Sequence, residues 1–196
     1  MREILSFDKN WFFELGDFDK AETIQFDHSS WKNIDLPHDW SIGGNYDSAI
    51  PFQIGFLHTG IGWYRKVFNV NSCWLKKSIY LSFDGIFMNS QIWINNKFIG
   101  ERSYGYIEFG FDITSFLVEG PNVIAIKIDC QEQPASRWYN GSGIYRHTWL
   151  TITDKTHINP WGVFIRTVDV KENTAELTCE ISLDNHESTA GEDIKI

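Results

Sequence analysis

Ser90-Gln91-Ile92-Trp93-Ile94-Asn95-Asn96-Lys97-Phe98-Ile99-Gly100 is the stretch that decides the fold of this chain. Its first half alternates polar and apolar residues in the period of two that is typical of a strand with one buried face. A second apolar pair, Phe98-Ile99, follows after a short polar interruption. Asn tolerates the left-handed backbone of a type I′ turn, so Asn95-Asn96 predicts a tight hairpin between two strands.

The same alternation recurs on both sides of this hairpin, and no segment shows a sustained helical period. Asp84-Gly85 and Glu119-Gly120-Pro121-Asn122 are turn signals that separate neighbouring strands. A single short helical turn is expected between Asp112 and Leu117. Many short strands with regular turn signals are typical of a β-sandwich or a jelly roll. The alternation is clearest at residues 63–68, 79–84, 90–94 and 123–128.

A change of composition at residues 153–156 predicts a domain boundary. Residues 163–170 are expected to form a strand, and residues 174–183 alternate in a way that predicts a strand with one solvated face. An immunoglobulin-like sandwich takes about 100 residues, and only about 40 follow the boundary. We therefore expect a complete domain over residues 1–155 and the first strands of an incomplete immunoglobulin-like domain over residues 156–196.

Charge and composition exclude several classes of partner and site. The net charge of −9 disfavours nucleic acid, because phosphate binding needs clustered basic residues. No apolar run of membrane-spanning length is present, so no membrane partner is expected. The three cysteines, Cys73, Cys130 and Cys179, form no close pair and predict neither a disulfide framework nor a zinc site. Localisation stays open between the cytoplasm and a periplasmic or secreted location with the signal removed.

The segment from Ser136 to Arg146, SRWYNGSGIYR, carries the clearest functional signal. Trp138 and Tyr139 offer flat aromatic faces with a polar edge, and Arg137 supplies a rigid fork of hydrogen-bond donors. Gly141 and Gly143 allow unusual backbone angles or close approach by another surface. Aromatic faces and a fixed donor suit a sugar, although a buried Trp and Tyr that hold a glycine-rich turn would give the same pattern.

Four segments in order resemble the N-terminal sugar-binding domain of glycoside hydrolase family 2, the family of β-galactosidases, β-glucuronidases and β-mannosidases. The resemblance covers about residues 1–155, and the first and last segments are most similar to the β-galactosidase branch. The residues from position 156 onward resemble the immunoglobulin-like domain of that family. The four segments are Leu36–Ile42 (LPHDWSI), Gly60–Arg65 (GIGWYR), residues 81–100 and Ser136–Arg146.

The resemblance implies an all-β, galactose-binding-domain-like jelly roll that belongs to a retaining glycoside hydrolase. In that family two glutamates on a (β/α)₈ barrel perform the chemistry, and both would lie beyond Ile196. We therefore expect no catalytic residue, cofactor or metal in this chain, and no activity of the chain alone. The expected partners are a terminal β-galactoside and the catalytic barrel, and a homo-oligomer of the parent is expected only by analogy.

The resemblance also suggests which residues touch the sugar. Asp39 is the candidate acceptor of a sugar hydroxyl and Arg137 the candidate donor, with Trp138 and Tyr139 beside them. For Asp39 the alternative is a carboxylate that accepts backbone N–H groups in a tight loop; for Arg137 it is an ion pair across a domain interface. His38 is expected to have a structural role. Some family members carry a carboxylate just before the Trp of the last segment, where this chain has Ser136-Arg137, so contacts of that carboxylate do not transfer.

Two other classes of function remain open from the sequence. A free-standing lectin-like module would bind glycans unaided. A purely structural domain would dock on the barrel without touching sugar. A β-glucuronidase or β-mannosidase parent is a further alternative within the family.

Overall fold

The computed structural model describes residues 2–50, 55–132 and 139–185, and within them the chain divides into two compact units. The first unit runs from Glu3 to Ile152. The second comprises Arg2 and the described residues from Thr153 onward. The all-β class and the antiparallel sandwich predicted from the sequence are confirmed.

The larger of two sheets in the first unit has six strands in the order β3-β2-β4-β9-β6-β7, and all five pairings are antiparallel. Its strands are β2 (Trp11–Leu15), β3 (Lys32–Ile34), β4 (Ile61–Val70), β6 (Ser90–Ile94), β7 (Lys97–Arg102) and β9 (Gly120–Asp129). The predicted hairpin joins β6 to β7. Asn95 and Asn96 have φ angles of 50° and 69°, the left-handed values that a type I′ turn requires.

The second sheet of this unit has four strands in the order β1-β10-β5-β8. They are β1 (Glu3–Ser6), β5 (Ser78–Phe83), β8 (Phe109–Asp112) and β10 (Thr148–Thr153). Short 3-10 turns lie at Trp74–Lys76 and at Thr114–Phe116, the second inside the predicted Asp112–Leu117 turn.

The core consists of the inward faces of the two sheets. Ile124, Ile126 and Ile128 on β9 are fully buried, as are Leu81 and Phe83 on β5, which confirms the alternation read from the sequence. The outer face of β9 is not fully solvated, because Ala125 packs into a second apolar cluster with Trp31 and Trp63. Both faces of the six-stranded sheet are therefore partly covered.

Two neighbouring cations are buried on β4, and each organises a different loop. Arg65 donates to the carbonyl oxygens of Ala21 and Thr23, the latter at 3.0 Å. Lys66 donates to the carbonyl oxygens of Phe7 and Lys9, and its ammonium group lies 4.2 Å from the centre of the Phe7 ring. Burial lowers the pKa of Arg65 to about 10 and that of Lys66 to about 8.

The second unit is a hairpin of β11 (Thr156–Val170) and β12 (Ala175–Asn185), paired antiparallel. Both predicted strands are present. In the described part of this unit the predicted apolar face of β12 is partly shielded: Ile181 and Leu183 are half-buried, whereas Leu177 is 62% exposed. On β11, Phe164 and Ile165 are 58% and 61% exposed. Two strands alone do not supply a covering layer for an apolar face. The immunoglobulin-like identity of this unit and the boundary at residue 155 stay predictions.

Candidate functional site

A short loop after β3 carries the first candidate residue. The amide groups of His38 and Trp40 donate to the carbonyl oxygens of Ile144 and Ser142, at 2.8 and 3.1 Å. The loop that contains Asp39 therefore pairs in a ladder-like way with the last of the four sequence segments. Residues one hundred positions apart are brought together in this way, since each segment satisfies the other's backbone groups.

Asp39 is half-buried at the centre of this contact, and both of its carboxylate oxygens accept hydrogen bonds. Oδ1 accepts from the backbone N–H of Ser41 at 3.0 Å, and Oδ2 accepts from the hydroxyl of Tyr139 at 2.5 Å. Burial and the adjacent Asp39 carboxylate raise the pKa of Tyr139 far above its usual value, so the phenol remains protonated and donates. Each carboxylate oxygen has two lone pairs and so keeps capacity for another donor.

Gly141 and Gly143 fit closely against this loop. A Cβ on Gly141, whose φ is +88°, would lie 3.3 Å from Oδ2 of Asp39. A Cβ on Gly143, whose φ is +119°, would lie 2.3 Å from the Tyr64 hydroxyl and 2.8 Å from the His38 carbonyl oxygen. Both positions therefore need glycine, for the backbone conformation and for the close approach.

The segment around Phe87 and Met88 packs against the turn that contains Gly141 and Gly143. The N–H and C=O groups of Gly143 pair with those of Phe87 at 2.8 and 3.0 Å. The Phe87–Met88 peptide bond is cis, as is Leu36–Pro37. Buried Cys130 donates its S–H to the Phe87 carbonyl oxygen at 3.1 Å, and burial raises the pKa of this thiol to about 11. The thiol is therefore protonated at neutral pH and does not act as a nucleophile.

His38 and Trp40, which flank Asp39, pack inward. Nδ1 of His38 lies 2.7 Å from the hydroxyl of fully buried Tyr64, and burial lowers the pKa of the imidazole. Trp40 is 8% exposed and stacks on Phe13 with ring centres 5.5 Å apart. These contacts give both residues a structural role, while the carboxylate between them is left at the surface.

Comparison with known proteins shows the family of this chain. The family model of the glycosyl hydrolases family 2 sugar-binding domain matches residues 1–154. The chain belongs to glycosyl hydrolase family 2. It corresponds to the sugar-binding domain of these enzymes, as the four sequence segments predicted.

Relatives of this family-2 chain include enzymes named for different sugars. It is 42% identical over 191 residues to the β-galactosidase BoGH2A of Bacteroides ovatus, which covers 96% of this chain and 22% of the relative. It is 36% identical over 184 residues to a putative β-glucuronidase of Formosa agariphila, with 91% and 17% covered. The chain thus spans about a fifth of the length of these relatives.

Solved structures agree with the family assignment. A crystal structure of a β-glycosidase from Bacteroides vulgatus superposes with a TM-score of 0.90 and 40% sequence identity, covering 95% of this chain and 25% of that one. A Bacteroides uniformis β-glucuronidase 2, covalently bound to cyclophellitol-6-carboxylate aziridine, superposes with a TM-score of 0.84 at 31% identity.

Of the four predicted site residues in this family-2 domain, the structure brings together Asp39 and Tyr139. Arg137 and Trp138 lie outside the described residues. Within the described ranges, no group of three or more His, Cys, Asp or Glu side chains is arranged to hold a metal ion. None of the helices in the described part of the chain combines the length and the hydropathy that a membrane crossing requires.

Sequence reasoning missed two buried serines that join the motif segments. The hydroxyl of Ser41 donates to the carbonyl oxygen of His58 at 2.6 Å and lies 2.8 Å from the hydroxyl of Ser142. Both serines fall inside segments that had been singled out, but a serine beside a glycine or an aspartate is also typical of an ordinary turn. Only the three-dimensional structure shows that these serines join two segments and are not simply turn residues.

Proposed function

We propose that this chain forms one wall of the sugar pocket in a longer retaining glycoside hydrolase, most simply a β-galactosidase, here called the parent enzyme. The chain supplies recognition, and the two catalytic glutamates stand on a (β/α)₈ barrel elsewhere in the parent. The chain alone is inactive in this account. Support comes from membership of family 2, from the short span of the chain relative to its relatives, and from the β-galactosidase at 42% identity.

The observation that carries the proposal is the arrangement of Asp39. Ser41 and Tyr139 each donate to one of its two oxygens, so the carboxylate is held in one orientation. A sugar hydroxyl that donates to such a carboxylate makes a charge-assisted bond, about twice as strong as a neutral one. Binding energy from a hydroxyl remote from the reacting carbon can lower the barrier to glycosidic cleavage.

Arg137 is the proposed donor to a second hydroxyl, with Trp138 beside it. Both roles are carried over from the resemblance of the Ser136–Arg146 segment to the family 2 sugar-binding domain. The terminal β-galactoside and the barrel are the proposed partners, and a homo-oligomeric parent remains an analogy with the family. Relatives named β-glucuronidase make a glucuronide the second candidate substrate.

The test uses the parent enzyme with Asp39→Asn and Asp39→Ala. If Asp39 touches the sugar, kcat/KM for nitrophenyl β-galactoside falls about 100-fold or more, which corresponds to about 2.7 kcal/mol of transition-state binding. The midpoint of thermal unfolding stays within a few degrees of wild type. Asp112→Asn is the matched control, because Asp112 also accepts a backbone N–H, from Thr114 at 2.8 Å.

Three outcomes would contradict the proposal or a part of it. Lost stability with a normal rate would give Asp39 a purely structural role. Turnover of the glucuronide but not of the galactoside would keep the pocket role and replace the substrate. Measurable galactoside affinity of the isolated chain would favour the lectin-like alternative.

A further inference from the structure

The loop at residues 103–108, between β7 and β8, is tied to the Asp39 site at several points. The hydroxyl of Tyr145 donates to the Gly105 carbonyl oxygen at 2.8 Å. The hydroxyl of Tyr106 donates to Oδ1 of Asn140 at 2.7 Å, and the Tyr106 ring packs on Phe87 with centres 5.3 Å apart. This loop is therefore held by the Ser136–Arg146 segment, which also contacts Asp39, and by Phe87, which pairs with Gly143 of that segment.

Gly105 shows how closely the loop is packed. A Cβ added there would lie 2.5 Å from the Phe87 ring, so the backbone approaches the aromatic side chain directly. The backbone N–H of Asn89 also donates to the carbonyl oxygen of Ser103 at 3.2 Å. A loop fixed in this way presents its side chains in a defined orientation, which reduces the conformational entropy lost when a ligand binds.

Two tyrosine rings on this loop remain at the surface. Tyr104 is 57% exposed and Tyr106 is 46% exposed, and their ring centres lie 5.7 Å apart at an interplanar angle of 71°. Ile107 beside them is 41% exposed. Adjacent exposed aromatic residues on a fixed loop are typical of a binding surface.

The link between the tyrosines and Asp39 favours a sugar as the ligand. Tyr139 donates to Asp39, and the next residue, Asn140, accepts from Tyr106. Two consecutive residues of one segment thus connect Asp39 to the loop that carries the two tyrosines. The C–H face of a sugar ring matches a flat aromatic surface, and phenolic hydroxyls suit its edge.

We propose that Tyr104 and Tyr106 bind the second sugar of the substrate, the unit that leaves with the glycosidic oxygen. The proposal rests on the proposed function, in which Asp39 contacts the terminal sugar. It assigns the parent enzyme to β-linked disaccharides and oligosaccharides in preference to small galactosides without a second ring. The loop at residues 103–108 then determines specificity for the leaving group.

The experiment compares two substrates in the parent enzyme: a β-linked galactosyl disaccharide and β-galactosyl fluoride, whose leaving group is a single atom. In the double variant Tyr104→Ala, Tyr106→Ala, kcat/KM for the disaccharide is expected to fall about tenfold or more, and that for the fluoride to stay within twofold. Tyr106→Phe keeps the ring and loses the hydrogen bond to Asn140. We expect this variant to retain most of the wild-type preference for the disaccharide over the fluoride. Phe98→Ala, an aromatic residue 50% exposed at the other end of β7, is the control.

The two substrates separate the failure of this proposal from that of the proposed function. Wild-type turnover of the fluoride tests the galactosidase assignment, and its absence would overturn both proposals. Equal losses for both substrates in the double variant would show that the tyrosines pack on another part of the parent. Unchanged kcat/KM for both substrates in the double variant would show that the tyrosines touch no sugar. If the double variant does not fold, the single variants Tyr104→Ser and Tyr106→Ser are compared in the same way.

Discussion

The Tyr139 hydroxyl donates a hydrogen bond to Oδ2 of Asp39 across one hundred residues of sequence. The bond joins the first half of the Ser136–Arg146 segment to the middle of the Leu36–Ile42 segment. It orients the Asp39 carboxylate, because burial and that carboxylate raise the pKa of the Tyr139 phenol, which therefore stays protonated and donates. The proposed contact between Asp39 and a sugar hydroxyl depends on this orientation.

Tyr139→Phe tests that dependence. The variant removes the hydroxyl donor and keeps the ring, so of the two bonds described for Asp39 the one from the Ser41 backbone N–H remains. A hydrogen bond to a charged group contributes about 1.5–3 kcal/mol, and we expect kcat/KM of the parent enzyme to fall roughly tenfold with little change in folding. Steady-state kinetics with nitrophenyl β-galactoside measure it. A rate equal to wild type would show that Ser41 alone holds the carboxylate.

Gly143→Ala tests the close approach of the two motif segments. The added Cβ meets the Tyr64 hydroxyl and the His38 carbonyl oxygen in a left-handed backbone conformation, so we expect a loss of about 3 kcal/mol or more in the free energy of unfolding. Gly120 has a φ of +89° and nothing within 4 Å of an added Cβ, so Gly120→Ala reports the backbone cost alone, about 1 kcal/mol. Urea unfolding of the two variants gives the comparison. Equal losses would show that the contact with Tyr64 is relieved by a small shift.

Lys66→Met tests the buried ammonium group on β4. The pKa of Lys66 is about 8 in the folded chain against 10.5 for the free side chain, so between these values the unfolded chain holds a proton that the folded chain has lost. Stability from this group therefore rises with pH across that window and is lost as pH falls through 8.

We expect the free energy of unfolding of wild type, relative to Lys66→Met, to rise by roughly 2 kcal/mol between pH 7 and pH 10. Urea titrations of both proteins at the two pH values measure it. Any other group that titrates in this range is common to both proteins and cancels in the difference. A difference that does not depend on pH would show that Lys66 keeps its usual pKa.

Cys130 is expected to resist alkylation in the folded chain. Its thiol is fully buried, and its pKa is raised to about 11, whereas Cys73 and Cys179 are exposed. Iodoacetamide at pH 8 followed by peptide mass spectrometry should label the two exposed cysteines within minutes and Cys130 only after denaturation. Early labelling of Cys130 would show that the segment around Phe87 opens readily.

The sequence predicted the strands and their faces well, because a period of two reports directly on burial. Ile124 and Leu81 are inside, as their spacing required, and Asn95-Asn96 forms the expected turn. The covering of the outer face near Ala125 was not predictable, since the Trp31 that covers it is far away in sequence. On the apolar face that the alternation of β12 predicted, Ile181 and Leu183 are half-buried and Leu177 is exposed.

The site was predictable only in part. Asp39 and Tyr139 stood in segments recognised by resemblance, and no local pattern shows that a Tyr bonds an Asp one hundred residues away. The alternative role of Asp39, to accept a backbone N–H in a tight loop, is also present, through Ser41. Turn capping and sugar binding are therefore not exclusive, because a carboxylate has four lone-pair positions. Sequence reasoning treated them as rivals.

The most direct test of the central claim pairs Asp39 with the hydroxyl that it is proposed to hold. In the parent enzyme, kcat/KM is measured for wild type and Asp39→Ala with nitrophenyl β-galactoside and with analogues that each lack one hydroxyl. We predict that, for one deoxy analogue, kcat/KM is about 100-fold lower than for nitrophenyl β-galactoside in wild type and less than threefold lower in Asp39→Ala. If every deoxy analogue loses the same factor in both proteins, Asp39 contacts no sugar hydroxyl and the account is wrong.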